Sequence, residues 1–179
     1  MKQANSMKNH AAASAAALPT AEIVLRVPSA EDGPALHNLI AACPPLDQNS
    51  RYCNLLQVTH FAETAVVAEC DGELVGSITG YLKPGAPDTL FIWQVAVHER
   101  ARGQRLATRM MDEIVDRPVC RAVRWMETTI DPDNAASWKA FAKFADARNA
   151  ATEQALLFSR QRHFEGKHGD EVLLRIGPF

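Results

Sequence analysis

The chain has 179 residues, enough for one domain with a sizeable core and too few for two. Its formal net charge of -2, with 47% hydrophobic and 22% charged residues, is ordinary globular composition and excludes the globally basic face of a nucleic-acid binder. No apolar run is long enough to span a bilayer. Cysteines 43, 53, 70 and 120 form no CxxC pair and no zinc-type spacing with histidine, so they read as reduced thiols of a cytoplasmic protein. His163 and His168 lack further ligands nearby, and no metal is expected. Residues 1–20, alanine-rich and without the apolar centre of a signal peptide, read as a disordered leader or a tag-like extension. A single domain is expected over 21–179.

In chain order, "IVLRVP" from Ile23 alternates like a strand, and Ser29 with Asp32 resembles a capping box opening a helix that buries Leu36, Leu39 and Ile40. Cys43-Pro44-Pro45 stops it. A second helix follows Asn49-Ser50, with Tyr52, Leu55 and Leu56 inward. "TAVVAECDGELVGSITGYL" is a hairpin turning at Asp71-Gly72, "KPGAPDT" a loop, and Leu90–Val97 a central strand apolar on both faces. From Arg105 the spacing turns helical, with Leu106, Met110 and Ile114 in one stripe, until Pro118. "VRWMETTI" is a strand. A helix from about Asn134 carries Trp138, Phe141 and Phe144, and after an unassigned stretch "EVLLRI" is the closing strand. The order β-α-α-β-β-β-α-β-α-β predicts an α/β fold with one mixed sheet.

"FIWQVAVHERARGQRLA" (91–107) runs an apolar strand into a patch with arginines at 100, 102 and 105, immediately before a helix. A helix N-terminus exposes unpaired N–H groups and about half a positive charge, which attract anions. Gly103 allows close backbone approach and Ala107 keeps the first turn narrow. The combination suits a pyrophosphate, although neither a Walker loop nor a GxGxxG is present. A solvated basic turn capping an amphipathic helix is the alternative.

"VAVHERARGQRLATRMM" resembles the acetyl-CoA motif of the GNAT superfamily of N-acetyltransferases, V-x-V-x-P-x-x-R-G-x-G-x-G/A, and the resemblance extends over about residues 23–176. It implies a mixed, mostly antiparallel sheet flanked by helices and splayed at the strand 91–97. It further implies acetyl-CoA as co-substrate, bound by main-chain groups of Val95 and Val97 and by the segment Arg102, Gly103, Gln104, Arg105, Leu106 and Ala107. Glu99 and Arg105 depart from the pattern, at a common proline and at the second glycine. "NAASWKAF" resembles the family's later helix, in which Asn134 and Ser137 approach the cofactor arm. Phe141 stands where a tyrosine commonly protonates the thiolate.

"PPLDQNSRYCNLL", "FIWQVAVH" and "HFEGKHGDEVLLRI" are together similar to the L-2,4-diaminobutyric acid acetyltransferases of ectoine synthesis. The resemblance implies acetylation of the 4-amino group of L-2,4-diaminobutyrate by a cytoplasmic homodimer, with no nucleic-acid or membrane partner. Asp47 is the first candidate for an ammonium partner, or else a turn residue. Tyr52 is a pocket wall or a core residue, and Trp93, expected on the face of Val95, floors the pocket or fills the core. Glu165 and His168, ahead of the last strand, are candidate bases for an amine that titrates near 10. Two rivals remain: a related acetyltransferase for a peptide, lysine or aminoglycoside, and a non-catalytic acyl-CoA-binding module.

Overall fold

The computed structural model describes residues 22–179, and the leader expected over 1–20 lies outside the described residues. Strand β1 (Val24–Arg26) leads through a 3-10 turn into α1 (Gly33–Ala41). There the Ser29 N–H donates to Asp32 Oδ2 at 2.7 Å. Arg26 reaches the same carboxylate at 2.7 and 2.8 Å and holds its pKa below the ordinary value. Helix α1 buries Leu36, Leu39 and Ile40.

Helix α2 (Arg51–His60) is capped by Ser50, whose hydroxyl accepts the Cys53 N–H at 3.1 Å. Its buried side chains are Asn54, Gln57 and Val58, not the Tyr52, Leu55 and Leu56 expected from apolar spacing. Asn54 is satisfied on both sides, donating to Gln57 Oε1 and accepting from His37 Nδ1, both at 3.0 Å, while Gln57 Nε2 is buried without a partner among the described residues.

Strands β2 (Val66–Cys70) and β3 (Glu73–Lys83) form the expected hairpin, with Asp71 and Gly72 both at positive φ. Strand β4 (Ala86–Val97) is longer than expected: Pro84-Gly85 alone makes the turn, and the irregularity of "KPGAPDT" survives as a register shift between Lys83↔Ala86 and Leu82↔Leu90. Next come α3 (Leu106–Val115), β5 (Trp125–Ile130) and α4 (Ala135–Ala147). The unassigned stretch folds as β6 (Thr152–Phe158) and the short α5 (Arg160–Phe164), before β7 (Glu171–Ile176). All seven β6 residues are exposed, so no burial alternation marks that strand in the sequence.

The seven strands are ordered β1-β2-β3-β4-β5-β7-β6, with β4–β5 the one parallel pair among them. On one face Leu106, Met110 and Ile114 of α3 and Phe141 and Phe144 of α4 join the larger core with Ile78, Leu90 and Ile92. On the other, Leu36, Leu39 and Ile40 of α1 and Val58 of α2 pack with Ala96. Truncating one of these fully buried leucines costs about 2–5 kcal/mol.

Two irregularities in β4 position everything that follows. Its pairing with β5 runs only from Thr89↔Trp125 to Ile92↔Thr128, although β4 continues to Val97 and β5 to Ile130. The sheet therefore splays beyond Ile92. Opposite β3, Gln94 pairs with Thr79 and Ile92 with Gly80, which leaves Trp93 as the extra residue of a β-bulge. A Cβ on Gly80 would stand 2.7 Å from the Phe91 carbonyl oxygen, so the bulge requires glycine there.

Candidate active site

The His98 N–H donates to the Val75 carbonyl at 2.9 Å, which orients the main chain at the end of β4. Peptide groups alternate sides along a strand, so those of Gln94 and Ala96 also face β3. The N–H and C=O groups of Val95 and Val97 face the side that β5 has left. The Val97 carbonyl accepts from Arg102 Nε at 3.3 Å. The Val95 pair opens onto a cavity of about 490 Å³.

Beyond β4 a 3-10 turn (Glu99–Ala101) places Gly103 at φ 80 and Arg105 at φ 57, before the N-terminus of α3. Arg105 thus holds the left-handed conformation that glycine adopts without strain, which costs about 1 kcal/mol in a residue with a Cβ. The first helical bond joins the Arg109 N–H to the Arg105 carbonyl at 3.0 Å, so the amides of Leu106 and Ala107 precede the ladder and have no helical acceptor. The Arg102 N–H is engaged by the Glu99 carbonyl at 3.2 Å, so the row of open donors starts at Gly103 rather than Arg102. Gln104 and Arg105 are exposed beside that row. The Arg100 guanidinium is paired with Glu73. This stretch can cradle a diphosphate with backbone N–H groups and surround it with the charges of Arg102 and Arg105.

The cavity lies where the splay opens. One wall is the 45–49 loop with Asp47, another is β4 with Trp93 and Val95, a third is the end of β5 and the start of α4, and His168 and Glu171 close it. Its charged lining is four carboxylates (Asp47, Asp131, Asp133 and Glu171) and one imidazole, with no lysine or arginine. Such a lining favours cationic ligands.

His168 and Asp47, 121 positions apart in sequence, meet at 3.2 Å between Nε2 and Oδ2. The other ring nitrogen, Nδ1, lies 3.1 Å from the Gly169 carbonyl, an acceptor only, so Nδ1 carries a proton; Nε2 donates to the Asp47 carboxylate when protonated and is the nitrogen that gains or loses its proton at the cavity. The Gly169 carbonyl, and after it Asp47 and Glu171, raise the His168 pKa against a smaller desolvation effect. Glu171 Oε1 is 3.8 Å from Nε2. The Asp47 carbonyl accepts from Gln94 Nε2 at 2.9 Å, which ties the loop to β4.

Asn134 caps α4 by accepting the Ser137 N–H at 3.1 Å, and Asn134, Ser137 and the buried Phe141 all line the cavity. Trp93 lines it too, but not as a core residue: it is 44% exposed. Nor does it share a face with Val95. The bulge shifts the alternation, so Trp93 meets Tyr81 edge-on at 6.3 Å, beside the Tyr81–Phe91 stack, while Val95 packs on the opposite core.

Two expected residues stand elsewhere. Tyr52 is 71% exposed and outside the cavity lining, because the amides of α2 take the buried face. Glu165, at φ 52 just after α5, points to solvent and pairs with Lys167 at 2.8 Å. Glu171 and Asp131 were not anticipated. Each sits where a strand meets a loop, and only the tertiary fold brings them to the cavity.

Residues 34–145 match the sequence profile of the Acetyltransferase (GNAT) family. The chain is 52% identical over 157 residues to the L-2,4-diaminobutyric acid acetyltransferase of Methylotuvimicrobium alcaliphilum, covering 88% of this chain and 91% of that one. It is 51% identical to the same-named protein of Bordetella parapertussis, over 87% and 84% of the two chains. Among solved structures, the diaminobutyrate acetyltransferase EctA from Paenibacillus lautus, in complex with L-2,4-diaminobutyric acid and coenzyme A, superposes with a TM-score of 0.85 at 36% identity, over 88% of this chain and 96% of that one. This chain belongs to the GNAT acetyltransferase family and, within it, to that of the L-2,4-diaminobutyric acid acetyltransferases.

Proposed function

We propose that this protein transfers the acetyl group of acetyl-CoA to the 4-amino group of L-2,4-diaminobutyrate, releasing CoA and N4-acetyl-L-2,4-diaminobutyrate for ectoine synthesis. The observation that carries this reading is a carboxylate-lined cavity opening directly onto unpaired main-chain groups of β4. The relatives' names supply the amine.

Acetyl-CoA brings an activated thioester whose thiol leaves readily, with a pKa of about 8.5. The chain's own groups do the rest. The Val95 N–H donates to the acetyl oxygen as negative charge builds there. The Val97 carbonyl receives the pantetheine arm once the Arg102 side chain yields it. The amides from Gly103 to Ala107 hold the diphosphate at the start of α3. Asp47 and Glu171 attract the ammonium groups of the diamine, and the Trp93 ring walls its short methylene chain. His168 Nε2 removes the proton that the attacking amine must lose. Phe141 has no proton to give, so the thiolate departs unassisted or through water.

The chain acts as a homodimer in the cytoplasm. The outer edge of β6 has no partner among the described residues and carries exposed Leu156, Leu157 and Phe158, which supports a second copy there. Light scattering at a mass of two chains agrees with this, and a monomer at all concentrations contradicts it.

Thiol release with diaminobutyrate, ornithine, lysine and an N-terminal peptide at matched concentrations tests the activity, with the product's acetylated nitrogen located by NMR. Diaminobutyrate acetylated at N4 is the expected result. A faster peptide or lysine reaction, or acetyl-CoA binding with no turnover on any amine, overturns the proposal.

A further inference from the structure

The segment between β6 and β7 delivers His168, and little besides hydrogen bonds holds it. Asp170 Oδ1 accepts the Arg160 N–H at 2.6 Å, and the Gly166 and Lys167 amides turn back onto the carbonyls of Arg160 and Phe164, both at 2.9 Å. Four of the five α5 residues are exposed, and Phe164 alone is half-buried. Phe164 belongs to neither hydrophobic core. Its ring meets two others: Phe158 edge-on at 6.3 Å, and the His168 imidazole at 4.6 Å with an interplanar angle of 39°.

The imidazole has few other restraints. Its Nδ1–H is held by the Gly169 carbonyl, and the Asp47 carboxylate facing Nε2 is 79% exposed. The ring torsion of a histidine is broad and two-fold, so these contacts alone leave the plane of the ring loosely determined. A phenyl ring against one face limits that rotation. It also shields that face from water while Nε2 stays open to the cavity.

We infer that Phe164 is a positioning residue for His168: by packing its tilted ring against the imidazole it keeps Nε2 directed at Asp47 and the amine. The inference rests on the proposed role of His168 as the base. It assigns a function in the reaction to a residue outside the lining of the carboxylate-rich cavity.

Phe164→Ala, Phe164→Tyr, His168→Gln and the Phe164→Ala/His168→Gln double variant test it, in the full chain with diaminobutyrate and acetyl-CoA. In Phe164→Ala, kcat is expected to fall about 10- to 100-fold with KM for acetyl-CoA unchanged, the size of loss a slightly misplaced group produces. Phe164→Tyr, which keeps the ring, restores most of it. In the double variant the Phe164 change adds no further loss to that of His168→Gln, because both act through one group. NMR of the His168 ring protons reads the contact itself, since Phe164→Ala abolishes their ring-current shift and Phe164→Tyr preserves it. Full kcat in Phe164→Ala beside an impaired His168→Gln overturns the positioning role alone, and so does an equal Phe164 effect in both backgrounds. Full kcat in His168→Gln overturns the base assignment, and the inference with it.

Discussion

Along residues 95–107 the groups proposed to meet acetyl-CoA are main-chain N–H and C=O groups, supplied by one continuous stretch of chain. Around the rest of the cavity the facing groups are side chains from four segments: Asp47, Trp93 beside Val95 on β4, the end of β5 with the start of α4, and His168 with Glu171. The first wall is set by backbone geometry and tolerates varied side chains, as the left-handed Arg105 shows at a place where the family pattern has glycine. The second depends on which side chain stands at each point, and on the elements that hold those points together. In the reaction proposed above, the common part, handling acetyl-CoA, falls to the first wall, and the choice of amine falls to the second.

The sharpest way to break this comparison is to change the backbone and the side chain separately at one position. Val95→Pro removes an N–H that no strand accepts, so the β3–β4 ladder keeps its bonds. We expect kcat to fall about 10²- to 10³-fold, the size of losing one oxyanion donor, with the thermal unfolding midpoint checking that the chain still folds. Val95→Ala is expected to stay within about threefold.

Asp47→Asn tests the opposite wall. Loss of a charged partner for the diamine is expected to raise KM for diaminobutyrate about tenfold and to leave KM for acetyl-CoA unchanged. The pH profile adds a signed test. His168 is held above its ordinary pKa, first by the Gly169 carbonyl and then by Asp47, so its basic form is lost as pH falls through that raised value. Asp47→Asn removes one of the raising groups, so the acidic limb of kcat should move to lower pH. A limb that stays in place or moves up contradicts the pairing.

Arg105→Gly sets strain against charge. Relief of the left-handed conformation is expected to stabilise the fold by about 1 kcal/mol in denaturant unfolding. Loss of the guanidinium should raise KM for acetyl-CoA a few-fold at low salt and less at high salt. The smallest effect belongs to Glu165→Ala. Its carboxylate faces solvent beside Lys167, and kcat is expected within about twofold of the parent.

How much of this was readable beforehand follows the same division. The strand, turn and helix over 91–115 are continuous, their apolar period changes at His98, and the structure has that order. What escaped were features with no local mark. The bulge at Trp93 breaks the two-residue period of a regular strand, which a stretch apolar on both faces does not reveal, and it turns the indole to the Tyr81 side. Helix α2 buries Asn54 and Gln57, polar residues whose contact with each other and with His37 no apolar pattern announces. Strand β6 is exposed on both faces, so it carries no pattern of burial. Glu171 is one carboxylate among many until β7 sets it beside His168.

Hydrogen exchange with each ligand separately tests the two-wall account most directly. Acetyl-CoA alone is predicted to slow exchange over residues 95–107 and leave 45–50 and 166–171 unchanged, and diaminobutyrate added to the CoA-bound protein is predicted to slow those two segments. Failure of acetyl-CoA to protect 95–107, or diaminobutyrate protection confined to that stretch, would contradict it.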